Sequence, residues 1–342
     1  MPPKFRGGSD DWLDDEDSNQ REGSAPKKKS PKAAFLPAEE ANATVIEVYP
    51  KQARVVLDSH PESSLLCGYR RAQVIQSNEN VRERSPVAVG DRVVIAQLNP
   101  QDGIVEGICT RRNSLARPAP GKEQKKDEAI ILHVVAANID LLVIVASVST
   151  PEFSPGLVDR YIIAAQAAGI PSLICITKTD LLASNSSKPW QEYQKIGYPL
   201  YALSVVAGDG VNALLPELEG KTVVFCGHSG VGKTSLFRKI LDQNVGKTGE
   251  VSEATGKGRH TTTSSILYRK GNSKWIDTPG IREFGLIGVT SENLQTYFPE
   301  FKSVDCTARG CSHIDMADCQ ATGLFRYPSF LRIHESLLEI EA

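Results

Sequence analysis

VVFCGHSGVGKTSLF, residues 223–237, holds a strand, a loop and the start of a helix in one short run. Val223 to Cys226 continue an apolar stretch that opens at Thr222, and TSLFRKIL from Thr234 has helical spacing. Between them Gly227, four residues, Gly232, Lys233 and Thr234 match the pattern G-x-x-x-x-G-K-[ST]. Glycines in such a loop let successive backbone N–H groups turn inward around a β-phosphate; the lysine reaches the β and γ oxygens, and the hydroxyl after it takes Mg²⁺. His228, Ser229, Gly230, Val231 and Ser235 complete the expected cradle. A chance match would lack the strand before and the helix after. The loop alone serves ATP and GTP equally, and it implies an α/β nucleotide-binding domain.

The base is decided elsewhere, by LICITKTDLL at 173–182. In an [NT]-K-x-D element the carboxylate, here Asp180, accepts two hydrogen bonds from guanine N1–H and the N2 amino group, donors that adenine does not present together. Lys178 lays its stem along the base, Thr177 stands where many GTPases carry Asn, and Thr179 completes the element. ALSVVAGDG at 202–210 marks the next strand end, where the backbone of Ser204 and Val205 would line the base. Downstream of the phosphate loop, WIDTPG supplies Asp277 for the magnesium shell and Gly280, whose N–H can read a γ-phosphate. GRHTTT offers Thr261, Thr262 and Thr263 for the same shell; Thr262 is favoured, and the triplet leaves the choice ambiguous. Ile281 occupies the place after the DxxG glycine where Ras-type enzymes carry Gln, and an aliphatic side chain cannot position water. His260 is the nearest polar candidate. The catalytic expectation is therefore His260, Thr262 and Lys233.

Ordinary small GTPases run phosphate loop, Thr, DxxG, NKxD, SAK. Here TKTD and SVV come first, and the phosphate loop, Thr cluster and DTPG follow. The five elements are cyclically reordered, which preserves a site in space when the original chain ends lie close together. DLLVIVASVS and PSLICIT read as strands buried on both faces, with the helical GLVDRYIIAAQAAGI between them.

Before this domain, TVIEVYP, ARVVLD, YRRAQVIQ and DRVVIAQL are short β-branched runs separated by turn signals, indicating a small all-β barrel or sandwich. GDRVVI followed by GIVEGICTRRNSLARP resembles an OB-fold, a barrel type that often binds oligonucleotides. Arg70, Arg71, Arg111, Arg112 and Arg117 could meet phosphates, or could instead protect strand edges from aggregation. ARPAPGKEQKKDE forms a linker or loop. Residues 1–36 set an acidic block, Asp10 to Asp17, before the basic Lys27 to Lys32, with few large apolar residues, and are expected to be a disordered tail.

At the other end Cys306, Cys311, His313 and Cys319 give C-x4-C-x-H-x5-C. Three thiolates and one imidazole make a closed tetrahedral shell suited to one structural Zn²⁺, against unliganded cysteines or another soft metal. A segment this short is expected to bury little apolar surface, so the metal would supply much of its folding free energy. Lys302, Arg309, Arg326 and Arg332 lie nearby as candidate phosphate contacts, and FLRIHESLLEI has the spacing of a terminal amphipathic helix.

The 342 residues suggest two or three domains at ~100–200 residues each. A net charge of −2 requires any nucleic-acid partner to be met by local basic patches. No apolar run reaches the roughly 18 residues of a membrane span, and the N-terminus has no signal-peptide core. An odd count of 7 cysteines argues against a secreted disulfide framework. A soluble cytoplasmic protein with no membrane partner is expected.

Taken together, the β-barrel followed by AANID, then DRY, TKTD, GHSGVGKTS, GRHTTT, DTPGIREFG and the Cys/His cluster resemble the ribosome small-subunit-dependent GTPase A family. The resemblance spans about residues 40–340. It implies an OB-fold barrel at 37–118, a circularly permuted α/β P-loop GTPase domain at 119–288 and a small α-helical zinc-binding domain at 289–342. It also implies Mg²⁺ with GTP, zinc at the cluster, a role for His260 in hydrolysis, and action in late maturation of the small ribosomal subunit through its rRNA, with turnover stimulated by the subunit. A monomer is expected. Two rivals come from other classes: a nucleotide-gated rRNA-binding module whose hydrolysis is incidental, and a P-loop ATPase or kinase acting on a small molecule.

Overall fold

The computed structural model describes residues 35–69, 76–78, 81–83, 85–118, 130–241, 265–278, 284–306, 311–314, 316 and 319–341. Residues 1–34 of the expected tail, Arg70, Arg71, the switch residues His260 to Thr263, Gly280, Ile281 and Arg309 lie outside them, whereas Leu36, expected in the tail, bridges to Cys109 of the barrel.

The N-terminal strands are β1 (Ala43–Tyr49), β2 (Gln52–Leu57), β3 (Ser64–Gly68), β4 (Gln76–Asn78), β5 (Val81–Glu83), β6 (Arg92–Gln97), β7 (Asp102–Ile108), β8 (Ser114–Pro118) and β9 (Ile130–Ala137). Five of them close on themselves in the order β1-β2-β3-β7-β6, with β6 returning to pair with β1. Only β3–β7 is parallel in that ring, the pairing that gives an OB-type barrel rather than a simple meander. Alternating residues fill the interior: Val45, Ala53, Val55, Leu65, Cys67, Val93, Ile95 and Val105 are all buried. Sequence reasoning missed β3, because adjacent leucines and a terminal glycine obscure its alternation. A second sheet, β4-β5-β9-β8, joins residues on both sides of position 118 through the antiparallel β8–β9 pair.

The α/β part follows as β10 (Leu141–Ser147), α1 (Pro155–Ala167), β11 (Ser172–Thr177), α2 (Gln191–Lys195), β12 (Leu200–Ala202), α3 (Val211–Leu218), β13 (Thr222–Cys226), α4 (Lys233–Leu241), β14 (Ile266–Lys270) and β15 (Ser273–Asp277). Strand order is β12-β11-β10-β13-β15-β14, parallel except for the β14–β15 hairpin. β10 explains its own unbroken hydrophobicity: Leu142, Ile144 and Ala146 enter the core beneath α1, while Leu141, Val143 and Val145 enter the core beneath α3 and α4. β14 also pairs with β1 of the barrel, so one sheet of 11 strands runs through both parts.

The C-terminal part consists of short 3-10 turns and α5 (Tyr327–Glu341). Its core holds Leu294, Phe298, Phe301, Phe330, Ile333 and Leu337 together with Ile163 of α1. The expectation of little buried apolar surface is corrected here, because α1 lends a face that the segment alone would lack.

Candidate functional site

The loop between β13 and α4 is held by backbone geometry that only glycine accepts. Gly227 has φ of +138°, and a Cβ there would sit 2.1 Å from the carbonyl oxygen of Val145. Gly230 and Gly232 also have positive φ. Lys233, the first residue of α4, donates to the carbonyls of Gly227 at 2.7 Å and His228 at 2.8 Å, so its ammonium lies across the loop mouth. His228 Nδ1–H donates to the Ser229 carbonyl at 2.8 Å. Thr234 and Ser235 face solvent.

TKTD lies beside this loop although it precedes it in the chain. β10 pairs with both β11 and β13, which brings Thr177 at the end of β11 up to the loop. The buried Thr177 hydroxyl lies 2.5 Å from the Val231 carbonyl and 3.1 Å from that of Ala146, so it reaches the phosphate loop directly. Lys178, in the left-handed region with φ of +59°, donates through Nζ to the Thr150 carbonyl. Thr179 N–H donates to Leu203 at 3.3 Å. Ser204 donates to Asp180 Oδ1 at 2.5 Å and itself receives the N–H of Ala207 at 3.0 Å, fixing the carboxylate against the SVV loop. Val205 is half-buried beside it.

Asp277 ends β15, and the next residue, Thr278, ties that strand end to β13 by donating to the Phe225 carbonyl at 3.1 Å. Burial lowers the Lys233 pKa below the usual lysine value, opposed by Cys226 and Asp277. Burial likewise raises Asp277, opposed by Lys233 and the Thr278 amide. Desolvation is the larger cause in both, and the attraction between the two groups partly offsets it.

The structure also brings together Cys306, Cys311, His313 and Cys319, whose ligand atoms all lie within 4.8 Å of one another. His313 Nδ1 is 3.6 Å from Cys306 Sγ and 3.3 Å from Cys319 Sγ. Bonds of about 2.0–2.3 Å from a central ion put tetrahedral ligand atoms at about this spacing, so the four residues fit a metal. Burial lowers the His313 pKa, favouring the neutral ring that ligates. Phe301 packs edge-on to that ring at 4.8 Å, and Tyr327 donates to the His313 carbonyl at 2.9 Å.

Two arginines proposed as phosphate contacts are buried instead. Arg111 is enclosed by Asp91 at 2.6 Å and Glu83 at 2.8 Å. Arg326 is fully buried, bonded to Asp159 of α1 at 2.6 Å and to Glu300 at 3.1 Å. A guanidinium so enclosed cannot reach a partner's phosphate. Arg112, Lys302 and Arg332 remain available to solvent or partly so. Sequence reasoning missed Asp159; a carboxylate three and four residues before Ile162 and Ile163, inside an apolar helical stripe, was the available signal.

A phosphate loop tethered to an earlier TKTD element, beside a permuted parallel sheet and an OB-type barrel, defines a circularly permuted P-loop GTPase. The RsgA GTPase family model matches residues 108–287. A small ribosomal subunit biogenesis GTPase RsgA from Haemophilus influenzae strain 86-028NP is 37% identical over 280 residues, covering 76% of this chain and 78% of that protein. Its namesake from Chlorobaculum tepidum is 36% identical over 269 residues, covering 74% of this chain and 86% of the relative. The crystal structure of YloQ, a circularly permuted GTPase, superposes with a TM-score of 0.60 at 25% identity, covering 87% of this chain and 94% of that one. That of YjeQ from Thermotoga maritima shares the fold, with a TM-score of 0.62 at 24% identity over 87% of this chain and 98% of that one. The chain belongs to the RsgA GTPase family.

Proposed function

We propose that this GTPase binds the small ribosomal subunit and acts in its late maturation, with hydrolysis stimulated by the subunit. Its relatives carry the name of that process. The observation that carries the nucleotide assignment is the Thr177 hydroxyl on the Val231 carbonyl, which fixes the distance between base-reading and phosphate-reading elements. Asp180, held by Ser204, pairs with guanine; Lys178, Thr179 and Val205 enclose the base. Residues Gly227 to Ser235 cradle the phosphates, and Lys233 offsets charge on the β and γ oxygens.

Hydrolysis joins a water oxygen to the γ-phosphorus and breaks its bond to the β–γ bridging oxygen, releasing GDP and phosphate. His260 positions that water, and Gly280 contacts the γ-phosphate. Thr234, Thr262 and Asp277 would hold magnesium bound with the nucleotide, which would supply positive charge against the charge developing on the phosphates. Cys306, Cys311, His313 and Cys319 hold one structural zinc, since three thiolates and an imidazole leave no ligand position for water.

The barrel and the C-terminal domain contact rRNA, with Arg112, Lys302 and Arg332 among the available cations. The domains divide at about 37–118, 119–288 and 289–342, with the β8–β9 pair crossing the first boundary and Ile163 of α1 entering the C-terminal core. The protein acts as a cytoplasmic monomer; among the described residues no helix is long and apolar enough to cross a membrane.

GTP turnover measured with and without purified small subunits tests the proposal. Subunits should accelerate it, and a non-hydrolysable GTP analogue should tighten subunit binding relative to GDP, since a partner favouring one nucleotide state must itself be favoured by it. Turnover and affinity both indifferent to the other component would refute it. His260→Ala should slow turnover while leaving GTP affinity nearly unchanged; equal loss of both would remove His260 from the chemistry.

A further inference from the structure

The triplet Asp159-Arg160-Tyr161 on α1 has no part in the nucleotide contacts above, yet its helix touches three regions that belong to different functions. On one side Asp159 accepts from Arg326 Nε at 2.6 Å and from the Tyr193 hydroxyl at 2.9 Å. Arg326 continues into the C-terminal part through Glu300, and its guanidinium lies 4.4 Å from the centre of the Phe298 ring. Asp159 Oδ2 and Arg326 NH2 are buried without a hydrogen-bond partner. A buried ion pair left partly unsatisfied is a poor source of stability and a better device for fixing position.

Two residues along, Tyr161 meets Phe284 edge-on at 5.8 Å; both rings are fully buried, and Phe284 ends the run DTPGIREF. Leu157, Val158 and Tyr161 also line a cavity of about 280 Å³ that His228 and Val231 of the phosphate loop help to line. The helix is therefore pinned by Arg326 on one side and packed against Phe284 through Tyr161 on another. Ile163 adds an apolar anchor in the C-terminal core.

We propose that α1 is a rigid lever through which the C-terminal domain acts as a built-in activator of GTP hydrolysis. Asp159 and Arg326 are positioning residues: they set the helix, and Tyr161 passes that setting to Phe284, the residue that closes the run DTPGIREF. Close-packed interiors transmit such a displacement rather than absorb it. The proposal rests on the GTPase reading and adds a requirement that reading does not make, that residues remote from nucleotide control turnover without subunits present.

The test is a double-mutant cycle on the full chain with Arg326→Met, Tyr161→Leu and the pair, reading kcat and KM for GTP without subunits and the affinity for a fluorescent GDP. Arg326→Met should lower kcat about tenfold, with GDP affinity kept within about twofold, and should cost less than about twofold in the Tyr161→Leu background. If Arg326→Met does not fold, Asp159→Leu/Glu300→Gln/Arg326→Met takes its place, since it removes the three buried charges together. Arg326→Lys should restore part of kcat. Wild-type turnover in Arg326→Met, or effects that simply multiply in the double variant, would overturn the lever. A wild type that hydrolyses no GTP would instead sink the nucleotide-site reading itself.

Discussion

Replacing Asp159 by alanine should be among the most damaging single changes in this protein. The carboxylate and Arg326 are both 0% exposed in their side chains. Removing one partner of a fully buried pair typically costs about 3–5 kcal/mol, because the other charge stays desolvated. Two features place the expected loss at the lower end. Arg326 keeps Glu300 at 3.1 Å and the Phe298 ring, and the Tyr193 hydroxyl can turn to the Pro155 carbonyl at 3.1 Å. The expected loss is about 3 kcal/mol for Asp159→Ala, while Asp159→Leu/Glu300→Gln/Arg326→Met should fall within about 1 kcal/mol of wild type because all three charges of the buried cluster are removed together. Urea unfolding followed by far-UV circular dichroism and by tryptophan emission measures both, with Trp190 well placed because it shares the core of Tyr193. A loss under about 1 kcal/mol for the single variant, or a triple variant as unstable as the single, would refute the view that an orphaned charge sets the cost.

Gly227→Ala should abolish nucleotide binding, since its Cβ would lie 2.1 Å from backbone oxygen at a φ of +138°; wild-type affinity for a fluorescent GDP would overturn that. Thr177→Val keeps the volume but removes the donor to Val231, and should weaken GTP and GDP alike by about 1–3 kcal/mol; calorimetry that finds both affinities unchanged would dismiss the tether. Asp180→Asn should shift preference from GTP toward xanthosine triphosphate, read by competition binding, and an unchanged preference would sink the base assignment. Cys319→Ser should lower bound zinc below one ion per chain by native mass spectrometry and raise protease susceptibility after residue 288; full metal content would remove Cys319 from the shell.

Which chemistry this chain carries was legible in its local sequence. Loop glycines, Lys233, Thr234 and TKTD act through spacing and backbone conformation, so their pattern survives even when the order along the chain is permuted. The four metal-ligand candidates were legible for the same reason, being close in sequence as well as in space. How Thr177 could stand for Asn was not legible. It depends on β10 lying between β11 and β13, which sets a 2.5 Å contact between residues that the chain separates widely.

The type of each part is written in local pattern: an alternating β-branched barrel, a doubly buried parallel sheet, a phosphate loop and a thiolate-rich cluster. Tertiary structure alone decided how the parts are fastened. Arg111 and Arg326 read as surface cations until Asp91, Glu83, Asp159 and Glu300 close around them. Nothing near Arg326 in the chain announces Asp159, because the cost of burying a charge is met by partners that only the fold supplies. The β1–β14 pairing that runs one sheet through barrel and nucleotide domain has the same origin. Backbone ladders are indifferent to side-chain identity, so which strand edges meet is decided by the packing around them and not by the residues at the junction.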